Sequence, residues 1–188
     1  AIFGVHPGLR PAHAKGYLFT GTFTPAPGAT ALTRAPHVSR ASTPVTVRFS
    51  NGTGLPDIPD NLGDANPRGM AIRFHLAERV HTDIISHAVD GFPVRTGQEF
   101  LEFLRAAATS APGTPSPTPI EAFLGTHPAA LRFVQTPKPS PVSFASQPYF
   151  GVTALRFVNA AGEVRHGRFR VVPQARVEHL DAAAAAAK

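Results

Sequence analysis

Twenty prolines and sixteen glycines cut this chain of 188 residues into short segments, and that punctuation limits its fold more than any other feature. Proline cannot donate into a helix or a sheet ladder, and glycine inside either weakens it. The chain must therefore be built from short elements joined by frequent turns. Segment 17–24 alternates aromatic or apolar residues with small and polar ones, which predicts a strand with two unlike faces. Segments 43–50 and 70–76 repeat the pattern with Val, Ile and Phe, and 83–88 is a fourth candidate. Segments 154–159 and 164–172, joined by an Ala161-Gly162 turn, predict a hairpin with Arg165, Gly167 and Phe169 on one face.

Helical signals cluster in the middle. Thr96 with Glu99 three residues later predicts a capping box that opens a run through Phe100, Phe103 and Leu104. Thr118, Pro119 and Glu121 repeat the device, with proline at the first helical position and Pro128 breaking or restarting the helix. The loops 110–117 and 136–141 are rich in proline. Strands at both ends with helices between them indicate an α+β domain over residues 1–176. The closing run 181–188 is mostly alanine, with high helix propensity and no second face to bury. Residues 177–188 are thus expected to start a C-terminal helix that is cut short.

No apolar run approaches the roughly 18 residues of a membrane span, and no signal-peptide layout opens the chain. The first residue is Ala rather than Met, as expected if a leader or tag has been removed. The absence of cysteine excludes disulfides, thiolate metal sites and cysteine nucleophiles, and leaves the compartment open. A net charge of +6 comes mainly from arginine, since only Lys15, Lys138 and Lys188 are lysines. Arginine's planar fork suits carboxylates and phosphates, so an anionic ligand is one reading and a solvated basic face the other. The arginines stand singly among strands rather than in basic runs interleaved with aromatics, which disfavours a nucleic-acid partner.

Three segments could carry chemistry. In Arg10–Gly16 (RPAHAKG), His13 lies among alanines just before the first strand. It reads either as a satisfied core histidine or as a desolvated general base. In 47–51 (VRFSN), Arg48 and Ser50 point to one face of a strand and could serve one ligand, or form an ordinary polar pair at a sheet edge. The third segment, 66–74 (NPRGMAIRF), is a turn running into a strand. His75, His81 and His87 recur every six residues, but no carboxylate spacing supports a metal site. No G-x-S-x-G elbow, phosphate loop or G-x-G-x-x-G is present.

Taken together, in this order, these segments resemble the haem catalase superfamily, in the style of its small members, the catalase-related peroxidases. The likeness runs from about Leu9 to Pro173. RPAHAKG is similar to the family's Arg-x-x-His-Ala-(Lys/Arg)-Gly and VRFS to its Val-Arg-Phe-Ser. The resemblance implies that His13 is the distal histidine, that Ser50 is its hydrogen-bond partner, and that Arg10 and Arg48 bind haem propionates. Asn66–Ala71 resembles Asp-Pro-Arg-Gly-Phe-Ala, 123–128 (FLGTHP) resembles Phe-Leu-x-x-His-Pro, and 151–163 (GVTALRFVNAAGE) resembles a late strand and hairpin. Phe92 and Phe100 fall where the family lines haem and its access channel.

The resemblance also implies a fold, a cofactor and a reaction. The fold is a catalase-like antiparallel β-barrel with inserted helices, its C-terminal helical part truncated. The cofactor is haem b. The reaction is reduction of hydrogen peroxide or organic peroxides by a small organic electron donor, with His13 moving a proton between peroxide oxygens. A homo-oligomer and a cytoplasmic location, or alternatively export to the periplasm, are further expectations. Two departures stand out. Where the family has Asn-Asn-Thr-Pro, this chain has Ser86-His87-Ala88-Val89-Asp90, so His87 takes the place of a distal asparagine. That exchange is expected to favour peroxidase over dismutase chemistry. The family's axial Arg-x-x-x-Tyr segment would fall beyond residue 188, so no metal ligand is expected in this chain. That leaves two other readings, a haem-binding barrel without turnover and a relative that rearranges fatty-acid hydroperoxides.

Overall fold

A computed structural model describes residues 2–187. Four long or medium strands come first: β1 (Gly16–Phe23), β2 (Thr43–Ser50), β3 (Gly69–Ala77) and β4 (Val80–His87). Helices α1 (Gly97–Ala108), α2 (Pro119–Thr126) and α3 (Pro128–Gln135) follow. Four short strands come next: β5 (Tyr149–Phe150), β6 (Leu155–Val158), β7 (Val164–Gly167) and β8 (Arg170–Val171). Helix α4 (Ala182–Ala186) ends the described residues. The main sheet runs β1-β2-β3-β4-β5-β8, antiparallel throughout and curled into half a barrel, and β6 and β7 form a separate ribbon. This is the α+β, strand-dominated architecture expected from the sequence.

Several details differ from that expectation. Strand β4 begins three residues before 83, because Glu78 and Arg79 close a tight hairpin in which Arg79 takes a left-handed φ of 58°. The predicted strand 164–172 is two strands. After Gly167 the chain leaves the ribbon, and Arg170 and Val171 cross to pair with β5 in the main sheet. Phe169 therefore does not continue the face of Arg165 and Gly167. Thr96 caps α1 by accepting from the Glu99 amide, but the Glu99 carboxylate accepts from the Arg95 N–H, so the box is shifted by one residue. At α2 the box is complete, with Glu121 accepting from the Thr118 N–H at 2.6 Å.

The expected C-terminal helix is confined to Ala182–Ala186. Residues 177–180 are extended and paired to 140–146, with Glu178 N–H donating to Ser146 and Leu180 N–H to Ser140. The Asp181 carboxylate then caps the short helix at the Ala184 amide, 2.7 Å away. Lys188 lies outside the described residues.

The two sheet faces have different jobs. On one, Phe74 is buried against His37, whose ring stacks on it at 4.2 Å, and against Phe23 at 5.1 Å. Val45, Phe49 and Tyr149 continue this apolar face. The other face carries Leu18, Arg48, Ser50, Gly69, Ala71 and His87, by the cross-strand register. We predict that Phe74→Ala costs about 3–5 kcal/mol of stability, because the stacked His37 ring cannot fill the space. Denaturant unfolding would measure it.

Candidate active site

One row of cross-strand partners organises the polar face. Gly16 pairs with Ser50, Ser50 with Gly69, and Gly69 with His87. Directly opposed residues in an antiparallel sheet point to the same side, so Ser50 and His87 flank a bare glycine. The imidazole of His13 fills that gap. A Cβ on Gly69 would stand 3.0 Å from the His13 ring and 2.8 Å from Ser50 Oγ. A Cβ on Gly16 would likewise meet the Phe49 carbonyl at 2.5 Å and the Arg48 guanidinium at 2.6 Å. Both glycines are there because the next layer of atoms occupies their side-chain space.

His13 approaches from a loop held down on both sides. Its own backbone is left-handed, with φ 53°, an uncommon state for a residue other than glycine. The amides of His13 and Ala14 donate to Gly52 and Thr53, and Arg48 Nη2 donates back to the His13 carbonyl at 2.8 Å. These bonds fix the turn that aims the ring. Nδ1 of His13 lies 3.0 Å from Ser50 Oγ. In the tautomer in which Nδ1 donates to Ser50, Nε2 keeps its lone pair. Burial, then the positive charge of Arg48, hold His13 below its usual pKa of 6.5, with Asn51 opposing and Arg10 adding slightly. The result is a neutral, oriented base.

A second polar cluster secures the loop from behind. Asp60 accepts from Lys15 at 2.9 Å, Asn51 at 2.7 Å and Tyr17 at 2.9 Å. Burial works against its charge, but these three donors outweigh it and keep the carboxyl below its ordinary range. Buried Arg68 donates to Asn66 Oδ1 and to the Asp60 carbonyl, and Asn66 Nδ2 donates to the Lys138 carbonyl. The Pro-Arg-Gly turn of the sequence thus acts as a brace. Asp60 and Asn51 were not singled out from sequence, because isolated loop Asp and Asn residues carry no spacing that marks them.

His13 and Ser50 meet directly, and Arg48 stands beside them. Arg10 is exposed, and its charge acts on both His13 and Arg48. All four line a cavity of about 470 Å³ with Ala71 and Gly69. Leu18 and Ile85, 70% and 68% exposed, also line it, at the two ends of a cross-strand row that runs through Arg48 and Ala71. Phe92 and Phe100 lie outside this lining. Their rings pack 5.2 Å apart, and Phe92 sits 6.1 Å from His87 and 6.3 Å from Phe133. They form a wall beside His87 rather than a cover over His13. Of the three spaced histidines, His75 and His81 are cross-strand partners at the far end of the β3–β4 hairpin, while His87 lies at the site. Among the described residues no group of three or more His, Cys, Asp or Glu side chains could hold a metal ion.

The comparisons now decide the family. Residues 8–188 match the family described as Catalase. The chain belongs to the catalase family. It is 36% identical over 188 residues to the catalase-related peroxidase of Mycolicibacterium paratuberculosis, covering 98% of this chain and 58% of that protein. It is 33% identical over 176 residues to the catalase-related peroxidase of Synechococcus elongatus, covering 92% and 51%. The chain therefore spans about half the length of these curated relatives. Catalase A from Saccharomyces cerevisiae shares the fold with TM-score 0.79 at 21% identity, over 95% of this chain and 38% of the yeast chain. A fungal catalase gives 0.78 at 22% identity, over 95% and 36%.

Two outcomes test this description of the catalase-family site. Gly69→Ala should push the imidazole off Ser50, cost about 1–2 kcal/mol in a denaturant melt, and move the NMR titration of His13 back toward 6.5. The second concerns acid. Burial, then the nearby His13, lower His87 from 6.5 to about 4. The unfolded chain takes up that proton first, so stability should fall as pH drops from 6.5 to about 4. His87→Asn should make the slope of Tm against pH shallower across that window.

Proposed function

We propose that this chain forms the peroxide-handling half of a haem-dependent peroxidase, reducing hydrogen peroxide or organic peroxides at the expense of a small organic electron donor. The observation that carries this reading is the part-buried His13 imidazole, its Nδ1 3.0 Å from Ser50 Oγ and Arg48 beside it. The peroxidase names of the two bacterial relatives support it.

The residues present fit the porphyrin part of haem. Leu18, Arg48, Ala71 and Ile85 form one cross-strand row of this face, and the Arg48 guanidinium folds away over Gly16, which leaves the apolar groups of the row open to a planar ligand. Arg48 donates to the His13 and Ala14 carbonyls and lies close enough to Arg10 to feel its charge, and two guanidiniums so placed suit a pair of carboxylates. The two tyrosines of this chain are engaged elsewhere and would not hold the iron. Tyr149 donates to the Phe144 carbonyl on the opposite sheet face, and burial pushes its phenol up to about 12. Tyr17 donates to Asp60.

Haem, when bound, supplies the iron at which a peroxide O–O bond is cleaved. The chain's own work is proton handling and positioning. His13 Nε2 accepts the proton of the bound peroxide oxygen and returns it to the departing oxygen. Ser50 keeps the ring in the tautomer that leaves Nε2 free, and burial keeps it unprotonated at neutral pH. Arg10 and Arg48 would hold the carboxylates of haem. Phe92 and Phe100 exclude water on the His87 side.

The test is donor oxidation by hydrogen peroxide after the chain is loaded with ferric haem. His13→Ala should lower the rate by about 10²- to 10⁴-fold while leaving haem absorbance in place. A rate unchanged by His13→Ala sinks the proposal. Haem that binds but supports no donor oxidation in the unsubstituted chain favours the binding barrel instead.

A further inference from the structure

A buried cation behind the His13 loop has no acid of its own. Arg68 is 1% exposed, and its guanidinium donates to two neutral oxygens, Asn66 Oδ1 at 2.9 Å and the Asp60 backbone carbonyl. The Asp60 carboxylate is already engaged, its Oδ1 by Lys15 and Asn51 and its Oδ2 by Tyr17. Among the described residues no carboxylate forms an ion pair with Arg68. Burial holds its pKa below the ordinary arginine range, with Tyr149 and Asp60 opposing only in part. A charge taken out of water without an opposite one is costly.

A cavity opens on this unmatched charge. It encloses about 370 Å³ and shares no lining residue with the cavity at His13. Three charged residues line it, Lys15, Asp60 and Arg68. Lys15 and Asp60 cancel, so Arg68 leaves the lining net positive. Most of the remaining lining is apolar, from Pro59, Pro141, Val142, Phe144 and Leu180. Bonds between distant segments fix these walls. Ser140 Oγ donates to the Asn61 carbonyl at 2.6 Å, the Leu180 N–H to the Ser140 carbonyl at 2.8 Å, and the Val142 N–H to the Glu178 carbonyl at 3.1 Å. Phe144 packs on Tyr17 and Phe49, at 5.8 and 5.7 Å.

We propose that this second cavity binds a small monocarboxylate with an aromatic or branched apolar body. Its carboxylate is the acid that Arg68 lacks, and its body covers Val142, Phe144 and Leu180. A dianion such as phosphate fits less well, since its second charge meets Asp60 and it gains nothing from the apolar wall. Binding here requires neither haem nor peroxidase chemistry. It does reach the His13 loop, because Lys15 and Asp60 line the cavity and also clamp that loop.

The probe is benzoate, added to the haem-free chain at low salt and followed through the amide NMR signals of Ser143 and Phe144. These signals should shift and saturate, and benzamide, the uncharged isostere, should bind about tenfold more weakly. The exposed Ser143 also lines the cavity, and its Oγ accepts from the Ala145 N–H. Ser143→Asp keeps that capping acceptor while setting a carboxylate against the ligand, so it should weaken benzoate about tenfold. Arg10→Ala should leave the binding unchanged, which separates it from carboxylate binding in the His13 cavity. Silent Ser143 and Phe144 signals, or benzamide binding as tightly as benzoate, overturn the proposal. So does benzoate affinity that Ser143→Asp leaves unchanged or that Arg10→Ala abolishes.

Discussion

The site depends on one steric constraint, that two strand positions carry no side chain. At Gly69 the empty space admits the His13 ring between Ser50 and His87, and at Gly16 it admits the Arg48 guanidinium and the Phe49 carbonyl. A strand glycine normally weakens a sheet through entropy and lost packing. Here the loss is offset by atoms from a separate segment of chain, packed as closely as a side chain would be. The consequence is precision. A ring wedged over a backbone cannot swing far, so its hydrogen bond to Ser50 is kept by packing as well as by its own energy.

The clamp behind the site serves the same end through electrostatics. His13 takes a left-handed φ, which the chain sustains only because flanking groups over-determine it. The Gly52 and Thr53 carbonyls, the Arg48 fork and the Asp60 cluster do so from three directions. Asp60 joins Lys15, just past the histidine, to Asn51, just past the serine, so the two segments of the site are tied at their far ends as well as at their tips.

Much of this was legible in the sequence, and the reasons differ by residue. Alternation marked the first four strands because one face is apolar and the other is not. The caps at Thr96 and Thr118 marked two helices because an exposed helix start needs a side-chain acceptor. His13, Ser50 and the two arginines stood out through short motifs in which residues of unlike chemistry sit at fixed spacing. What stayed hidden depends on distance in sequence. The bond from Asn66 to the Lys138 carbonyl spans 72 positions, and residues 177–180 pair with a proline-rich loop that has no strand pattern. The crossing of Arg170 and Val171 out of their hairpin was invisible for a related reason, since alternation continues through Phe169 whichever sheet the residues join. Phe92 and Phe100 were expected along haem and its access channel, but their place beside His87 depends on where α1 and α3 pack.

The Arg48 side chain ties two properties together that are usually set apart. Its guanidinium both donates to the His13 carbonyl and, after burial, is the strongest influence holding that imidazole's basicity down. A carboxylate paired with the same guanidinium would cancel part of its field, and His13 would become a stronger base when the anion arrives. By reciprocity, protonating His13 would tighten the hold on the anion by an equal factor. An anion bound to Arg48 and the basicity of His13 would therefore be linked thermodynamically, through one side chain and without any movement of the fold.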